Sequence, residues 1–381
     1  MQEIDENRIE KASKKAGKLF KPIKYLINVL IIVIILFLIL ELISFVVIKI
    51  HSSPKNEPRL QMDIYNNKTW AVDYYIEFYE SDKAEYFPYL EYRRVPNYHG
   101  EYINIDENSI RKTESSCFIQ SDDRIRIFIF GGSTLWGSGA RDEGTIPSFV
   151  LTYLCENKIA AEVINFGEAG YGSTQEIIRL ELELRKENKP DIVIFYDGVN
   201  EVYSAYQNKK AGLPQNVQNR IEDFNSRNRI NLKNALVNSN LVRIINKLIG
   251  GFKKEKIETL PESLDDETAN VYLENVKLVK ILAEEYDFKT FFYWQPSVYS
   301  KDNLSEDEKN KIAKDETYKK LYFDVKDIVD ESQDVIDISD VFDEHYESIF
   351  IDPYHTSEEG NKIIVGDIGK DIIKYLNENQ I

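Results

Sequence analysis

The chain has 381 residues, of which 43% are hydrophobic and 12% aromatic, enough to bury one substantial core and a smaller appendage. This composition excludes a disordered protein. The formal net charge of −17 offers no basic field to a polyanion, so we exclude nucleic acid as a partner.

The amino-terminal region reads as a membrane anchor. Residues 1–24 form a basic tail with seven Lys or Arg and four acidic residues. Residues 25–48 read YLINVLIIVIILFLILELISFVVI, long enough to cross a hydrocarbon layer of about 30 Å. Because lysines crowd the amino side of this run, the tail is expected in the cytoplasm and the rest outside the cytoplasmic membrane, in a single-pass arrangement. A cleaved signal peptide is the alternative, although no small-x-small cleavage pattern follows.

Residues 49–122 are rich in aromatic side chains that follow no clean period. They predict an ordered juxtamembrane stalk packed on the main domain, with a sugar-stacking groove as the alternative. Cys117 and Cys155 are compatible with a disulfide in an oxidising compartment and equally with two buried thiols. Neither the cysteines nor the four histidines have metal-ligand spacing, so we predict no metal and no cofactor.

From residue 123 to residue 381, strands alternate with helices. Continuous apolar runs predict strands, and amphipathic runs predict helices, which together indicate a parallel sheet covered on both faces. The predicted strands are 125–130, 161–166, 191–196, 289–294 and 335–338, and the predicted helices are 145–156, 173–188, 267–286, 304–330 and 357–377. Residues 203–265 break the alternation and predict a helical insertion, either a surface excursion or a lid over the site.

A nucleophile and its base stand at two ends of this alternation. The first strand ends in Gly131-Gly132-Ser133, and Asp352-Pro-Tyr-His355 comes just before the last helix. Strands of open α/β folds present their chemistry at the carboxyl edge of the sheet. A serine hydroxyl needs a base, and the base needs an orienting acceptor, so Ser133, His355 and Asp352 are the predicted catalytic residues. The Asp-Pro-x-His sequence is also typical of an ordinary helix-entry turn.

Two other strand ends offer donors for an oxyanion. Residues 165–174 read NFGEAGYGST and residues 197–201 read DGVNE, so that glycine N–H groups and a side-chain amide point along the same edge. Taken singly, each is only a turn signal. Further candidates for lining the pocket are Trp136, Glu168, Tyr171 and Glu201.

In this order, Gly-Gly-Ser133, Gly170, Gly198-x-Asn200 and Asp352-x-x-His355 resemble the four blocks of the SGNH (GDSL-like) hydrolases, over about residues 124–377. The resemblance implies a three-layer α/β/α sandwich with a flavodoxin-like sheet. It also implies roles: Ser133 as nucleophile and first oxyanion donor, Gly170 and Asn200 as further donors, His355 as general base and then acid, and Asp352 as its orienter. Gly132 departs from the family motif, which has Asp there, and Glu201 stands where Asp is more common.

These features predict a membrane-anchored, extracytoplasmic serine esterase or acyltransferase. Its predicted substrate is an acylated glycan, with O-acetyl groups of a cell-envelope polysaccharide favoured over another ester, and polysaccharide-synthesis proteins are possible partners. The acyl chemistry follows from the residues, whereas the glycan follows from location and from anchored relatives. The alternative is a non-catalytic glycan-binding or assembly protein that retains the fold. Simultaneous retention of Ser133, Asn200, Asp352 and His355 favours catalysis.

Overall fold

The computed structural model describes residues 2–51, 54–226, 239–242, 244–245, 259–312 and 315–379. They fall into two compact units, one of Met1–Ser53 with Asn225–Ile257, and one of Pro54–Phe224 with Glu258–Ile381. Part of the predicted insertion at 203–265 lies outside the described residues. Whether it acts as a lid therefore stays a prediction.

The first unit contains a long helix, α1 (Gln2–His51). Within it, Pro22–Ile48 is long and apolar enough to cross a membrane, a property that signal sequences share. Near the end of this stretch, the Glu41 carboxylate accepts hydrogen bonds from the backbone N–H groups of Asn240 at 2.6 Å and Leu241 at 2.9 Å. The predicted apolar helix is confirmed, while its orientation and the membrane it crosses stay predictions.

The second unit begins with residues 54–122, which pack into the core. Three short 3₁₀ turns, Pro54–Asn56, Pro58–Gln61 and Asp63–Tyr65, are followed by α2 (Ala71–Ser81), the hairpin of β1 (Ala84–Phe87) and β2 (Glu91–Arg94), and the strand pair β3 (Tyr98–His99) and β4 (Asn104–Ile105). Tyr74, Tyr75 and Phe78 of α2 are buried because their spacing places them on one side of the helix. They belong to the same apolar cluster as the central strands.

The rest of the second unit alternates as predicted. Its elements are β5 (Ile125–Gly131), α3 (Ser133–Trp136), α4 (Ile146–Glu156), β6 (Ala161–Asn165), α5 (Ser173–Leu184), β7 (Ile192–Asp197), α6 (Val199–Asn208), α7 (Val217–Ser226), α8 (Leu264–Tyr286), β8 (Lys289–Trp294), α9 (Glu306–Lys311), α10 (Glu316–Asp330), β9 (Ile336–Asp337) and α11 (Glu358–Asn379). The main sheet of the described chain is parallel, in the order β6-β5-β7-β8-β9. Counted within that sheet, this is the 2-1-3-4-5 order of flavodoxin-like folds.

Side chains of successive strand residues enter opposite layers. Ile127 and Ile129 pack with α4 and α11, whereas Phe128 and Phe130 pack with α5, α6, α8 and α10. Each of these four side chains is fully buried, which stabilises the fold by roughly 1.5–3 kcal/mol per side chain. The three-layer α/β/α sandwich is therefore confirmed.

The open question about the cysteines is answered by a disulfide between Cys117 and Cys155. It joins the stretch before β5 to the last turn of α4, across a sequence separation of 38. One predicted helix, 304–330, is divided in two, since Ser305 and Asp315 each cap a new helix start.

Candidate active site

Ser133 follows β5 through Gly132 and begins the single turn α3. Its Oγ lies 2.7 Å from Nε2 of His355. The loop after it is fixed by Arg111, whose fully buried guanidinium donates to the carbonyls of Trp136 and Gly137 at 3.1 and 2.8 Å and bonds to Asp142 at 2.9 Å. The nucleophile candidate therefore sits on a short turn whose terminal carbonyls are satisfied.

Asp352 and His355 form one turn just before α11. Asp352 Oδ1 accepts the backbone N–H groups of Tyr354 at 3.0 Å and His355 at 2.9 Å, and the two carboxylate oxygens lie 2.8 and 2.7 Å from His355 Nδ1. An imidazole that donates its Nδ1–H to Asp352 turns the Nε2 lone pair toward the Ser133 hydroxyl. The helix-entry turn and the catalytic arrangement therefore hold together.

The Asp352 carboxylate stays charged despite partial enclosure. Burial raises its pKa, but the attraction and hydrogen bond of His355, followed by the Arg59 guanidinium, outweigh that effect and lower the pKa to about 2. An ionised carboxylate at this position can stabilise a protonated imidazole at His355.

Three candidate oxyanion donors, Ser133, Gly170 and Asn200, lie in the segments that follow β5, β6 and β7. Within the described ranges, the backbone N–H groups of Ser133 and Gly170 donate to no protein acceptor. Gly170 has a φ of +77°, a left-handed conformation that favours glycine. The Asn200 amide donates one Nδ2 hydrogen to the carbonyl of Tyr171 at 2.6 Å and keeps a second one.

Direct contacts join the blocks that carry these donors. The N–H of Glu168 donates to the carbonyl of Gly131 at 3.0 Å. A Cβ at position 132 would overlap the Asn200 amide, so the glycine that departs from the family motif makes room for this donor. All five predicted site residues are thus brought to the carboxyl edge of β5 and its neighbours.

Comparisons with known proteins identify the family of the chain. The profile of the GDSL-like lipase/acylhydrolase family matches residues 127–368. The chain belongs to this family. Membership of this family identifies the chain as an ester hydrolase. No curated protein matches it in sequence.

Several solved structures resemble the GDSL-like chain. The acetyl xylan esterase AlAXEase is 16% identical, with 65% of this chain and 100% of that chain covered and a TM-score of 0.37. A putative lipolytic protein of the G-D-S-L family from Desulfitobacterium hafniense DCB-2 is 12% identical, with coverages of 65% and 99% and a TM-score of 0.35. Axe2, an acetylxylan esterase from Geobacillus stearothermophilus, is 16% identical, with coverages of 65% and 94% and a TM-score of 0.35.

The residues predicted to line the pocket of this GDSL-like hydrolase, Trp136, Glu168, Tyr171 and Glu201, are all buried. Trp136 is 1% exposed and belongs to the core, so its prediction as a lining residue is wrong. Glu168 accepts the N–H of Arg94 at 2.9 Å, and the Tyr171 hydroxyl donates to a backbone carbonyl. Glu201 accepts the N–H groups of Gly198 at 2.9 Å and of Ser173 at 2.6 Å, so it ties two donor loops together.

Two residues near the site carry no motif in the sequence. Gln215 Nε2 donates to Asn200 Oδ1 at 2.9 Å, which orients the amide so that its nitrogen faces Gly132. Arg59 Nη1 lies 3.7 Å from Asp352 Oδ2. Neither residue follows a strand end or a glycine pair, so nothing in the local pattern marks them.

Two cavities differ in their relation to these residues. A small one of about 70 Å³ is bordered by Gly170, Gly172 and Gln215. A larger one of about 920 Å³ lies at the outer edge of β6, and its lining contains none of the predicted site residues. Of the predicted site residues, only Gly170 borders the smaller cavity, so neither of these two cavities is lined by Ser133 or His355.

Proposed function

We propose that the protein is a membrane-anchored serine esterase or acyltransferase that acts, outside the cytoplasmic membrane, on O-acetyl groups of a cell-envelope polysaccharide. The observation that carries the proposal is the continuous hydrogen-bonded line from Ser133 Oγ through His355 to Asp352, with distances of 2.7 Å at each side of the imidazole. A protein that only binds a glycan does not require a serine hydroxyl that is hydrogen-bonded to a histidine–aspartate pair.

In the first half-reaction, Ser133 Oγ attacks the acyl carbonyl carbon while His355 Nε2 takes the hydroxyl proton. The developing oxyanion receives hydrogen bonds from the N–H groups of Ser133 and Gly170 and from Asn200 Nδ2, each of them lowering the barrier by roughly 3 kcal/mol. The tetrahedral intermediate then expels the sugar oxygen, which His355 protonates. In the second half-reaction, water or another sugar hydroxyl attacks the acyl-enzyme, which makes the enzyme a hydrolase or a transferase.

The acylated glycan is inferred from the proposed location of the chain at the cell envelope, whereas the acyl chemistry is inferred from Ser133, His355 and Asp352.

Two features support a location outside the cytoplasm. The apolar stretch Pro22–Ile48 follows a lysine-rich tail, which favours retention of the tail in the cytoplasm. The Cys117–Cys155 disulfide persists in oxidising compartments and is rare in reducing ones.

The test uses the full chain in detergent micelles. Wild type is expected to cleave p-nitrophenyl acetate and to release acetate from an O-acetylated polysaccharide, while Ser133→Ala loses at least about 10³-fold in kcat/KM. Ser138→Ala, which removes another hydroxyl from the same loop, is the matched control and retains activity. A serine-directed fluorophosphonate labels wild type and the control, and does not label Ser133→Ala.

Two results would go against this proposal. If wild type and Ser133→Ala are equally inert toward both esters while the polysaccharide still binds, the protein is a glycan-binding module. If wild type cleaves long-chain esters and not acetyl esters, the substrate class is wrong while the catalytic assignment stands. Addition of a deacetylated sugar acceptor separates transfer from hydrolysis by the product formed.

A further inference from the structure

Arg59 approaches the candidate triad from a part of the chain that the family match does not cover. It lies in the 3₁₀ turn Pro58–Gln61, whereas the family profile matches residues 127–368. Its Nη1 lies 3.7 Å from Oδ2 of Asp352, and its side chain is only 17% exposed. The Asp352 carboxylate therefore has two neighbouring groups that are or can become positively charged, His355 and Arg59.

The guanidinium is fixed by contacts that do not involve Asp352. Its Nε lies 2.7 Å from Oε1 of Glu57, and Glu57 also accepts the Tyr79 hydroxyl. The guanidinium carbon lies 4.8 Å from the centre of the Tyr75 ring and 5.4 Å from that of Phe78. A long side chain that is paired and stacked in this way loses little further entropy when it meets the carboxylate.

The charged groups around Asp352 and Arg59 determine whether Arg59 strengthens or weakens the attraction between Asp352 and a protonated His355. The titratable and charged groups near Asp352 are His355 and Tyr354 on its own turn and Arg59 on the segment 58–61. Those near Arg59 are Glu57, Tyr65, Tyr74, Tyr75 and Tyr79. Glu57 neutralises part of the Arg59 charge, and the tyrosines are neutral, because burial raises the pKa of each. Arg59 therefore reduces the pull of Asp352 on an imidazolium at His355 without abolishing it.

We propose that Arg59 is a positioning residue for the triad, a fixed cation that attracts Oδ2 of Asp352 and so weakens the attraction of this carboxylate for a protonated His355. This inference rests on the proposed function, because it assigns Asp352 and His355 the roles given there. In that arrangement Oδ1 accepts the turn's own N–H groups, and the charge of Arg59 at 3.7 Å attracts Oδ2, which favours the orientation in which both oxygens face His355 Nδ1.

The experiment measures pH–rate profiles of the full chain for p-nitrophenyl acetate. Arg59→Gln is expected to lower kcat by about 10-fold, with KM within about twofold of wild type, because orientation is lost while the acyl site is unchanged. The acid limb of the profile is expected to move to higher pH by about half a unit, since the imidazolium gains stability when the competing cation is removed. Arg59→Lys, which retains the charge, is expected to restore most of the wild-type limb.

Arg93→Gln is the matched control, since Arg93 also pairs with a glutamate, Glu85, and lies 4.5 Å from the centre of the Phe87 ring. It should leave both kcat and the acid limb unchanged. Arg59→Met keeps the apolar contacts with Tyr75 and Phe78 and replaces Arg59→Gln if the latter does not fold. An acid limb that stays in place in a folded Arg59 variant would overturn the inference, and so would loss of folding in both variants.

Different outcomes contradict the proposed function and the role of Arg59. Inactive wild type, or full activity in Ser133→Ala, contradicts the proposed function itself. An active wild type, an inactive Ser133→Ala and an unaltered Arg59→Gln contradict only the role of Arg59.

Discussion

The Asp352 carboxylate bonds both to backbone N–H groups of its turn and to the His355 imidazole. These contacts predict the effect of replacing the carboxylate with an amide. In Asp352→Asn, the side chain no longer stabilises an imidazolium, so kcat should fall by about 10³–10⁴-fold while KM changes little. Steady-state kinetics with an acetyl ester measures both constants. A drop below about 10-fold would assign the orienting role to another residue.

The same carboxylate gives a prediction for acid stability. Its pKa is lowered to about 2 from an ordinary value of 3.8, so its contribution is present above about pH 4 and is lost as the pH falls toward 2. We expect the free energy of unfolding of wild type to lose about 2 kcal/mol from this group across that window. The Asp352→Asn variant should lack this component in urea titrations at the same pH values.

Gly132 gives a steric prediction. Its φ of −81° suits any residue, so the effect of Gly132→Ala would come from the overlap of the new Cβ with the Asn200 amide. Displacing this donor should lower kcat by about 10²-fold. Gly366→Ala is the control, because a Cβ there meets nothing within 4 Å. Equal activities of both variants would show that Asn200 does not contribute.

Single residues differ in how far the sequence could predict them. Ser133 and Asn200 stand at strand ends beside glycines, and His355 stands before a helix, so local pattern was enough to select them. Arg59 and Gln215 reach the site only through folding, from a 3₁₀ turn and from the loop after α6, where no period or motif exists. Their roles depend on contacts between distant parts of the chain.

At the scale of elements, α5, β7 and α6 meet around buried acids. Glu176 on α5 and Asp197 at the end of β7 are almost completely buried, and neither Glu176 oxygen nor Asp197 Oδ2 has a hydrogen-bond partner in the described chain. Burial and the repulsion of Glu201 raise the pKa of both groups well above its ordinary value, and the charge of Glu176 raises the pKa of Asp197 further. A proton shared by the two carboxyl groups satisfies them.

This arrangement predicts a pH-dependent gain from Glu176→Gln. An acid with a raised folded-state pKa destabilises the fold progressively as the pH rises above its unfolded value, and an amide does not. The midpoint of thermal unfolding should therefore rise by a few degrees relative to wild type at pH 8.5, and the difference should shrink at pH 5. Calorimetry at both pH values tests this. A difference that is the same at both would mean that the pair holds no proton at neutral pH.

The regular elements were largely predictable because buried parallel strands are continuous apolar runs. The exact ends of the helices were harder to predict. The helix predicted at 173–188 ends at Leu184, where Asn188 Nδ2 bonds to the Glu183 carboxylate at 3.0 Å and Glu187 adopts a positive φ of 61°. Such local competition between side chain and backbone is not visible in apolar periodicity.

At the scale of the whole molecule, we expect loss of the disulfide to lower the stability of the fold without changing the catalytic rate. Replacing Cys117 and Cys155 with serine should lower the free energy of unfolding by about 2–4 kcal/mol, because the bond closes a long loop across a sequence separation of 38. kcat should stay within about twofold, since none of the predicted site residues contacts either cysteine. Unfolding curves of the variant and of reduced wild type should coincide. A large loss of kcat would link this edge of the sheet to the site.

The distance along the chain between nucleophile and base has a temporal consequence. Ser133 and His355 are 222 positions apart, and the base lies on the turn before α11. During translation, the Ser133 hydroxyl is therefore made long before His355, and it has no base until residue 355 has been added. If the chain is exported as proposed and translocation accompanies translation, the serine and its base first meet outside the cytoplasm.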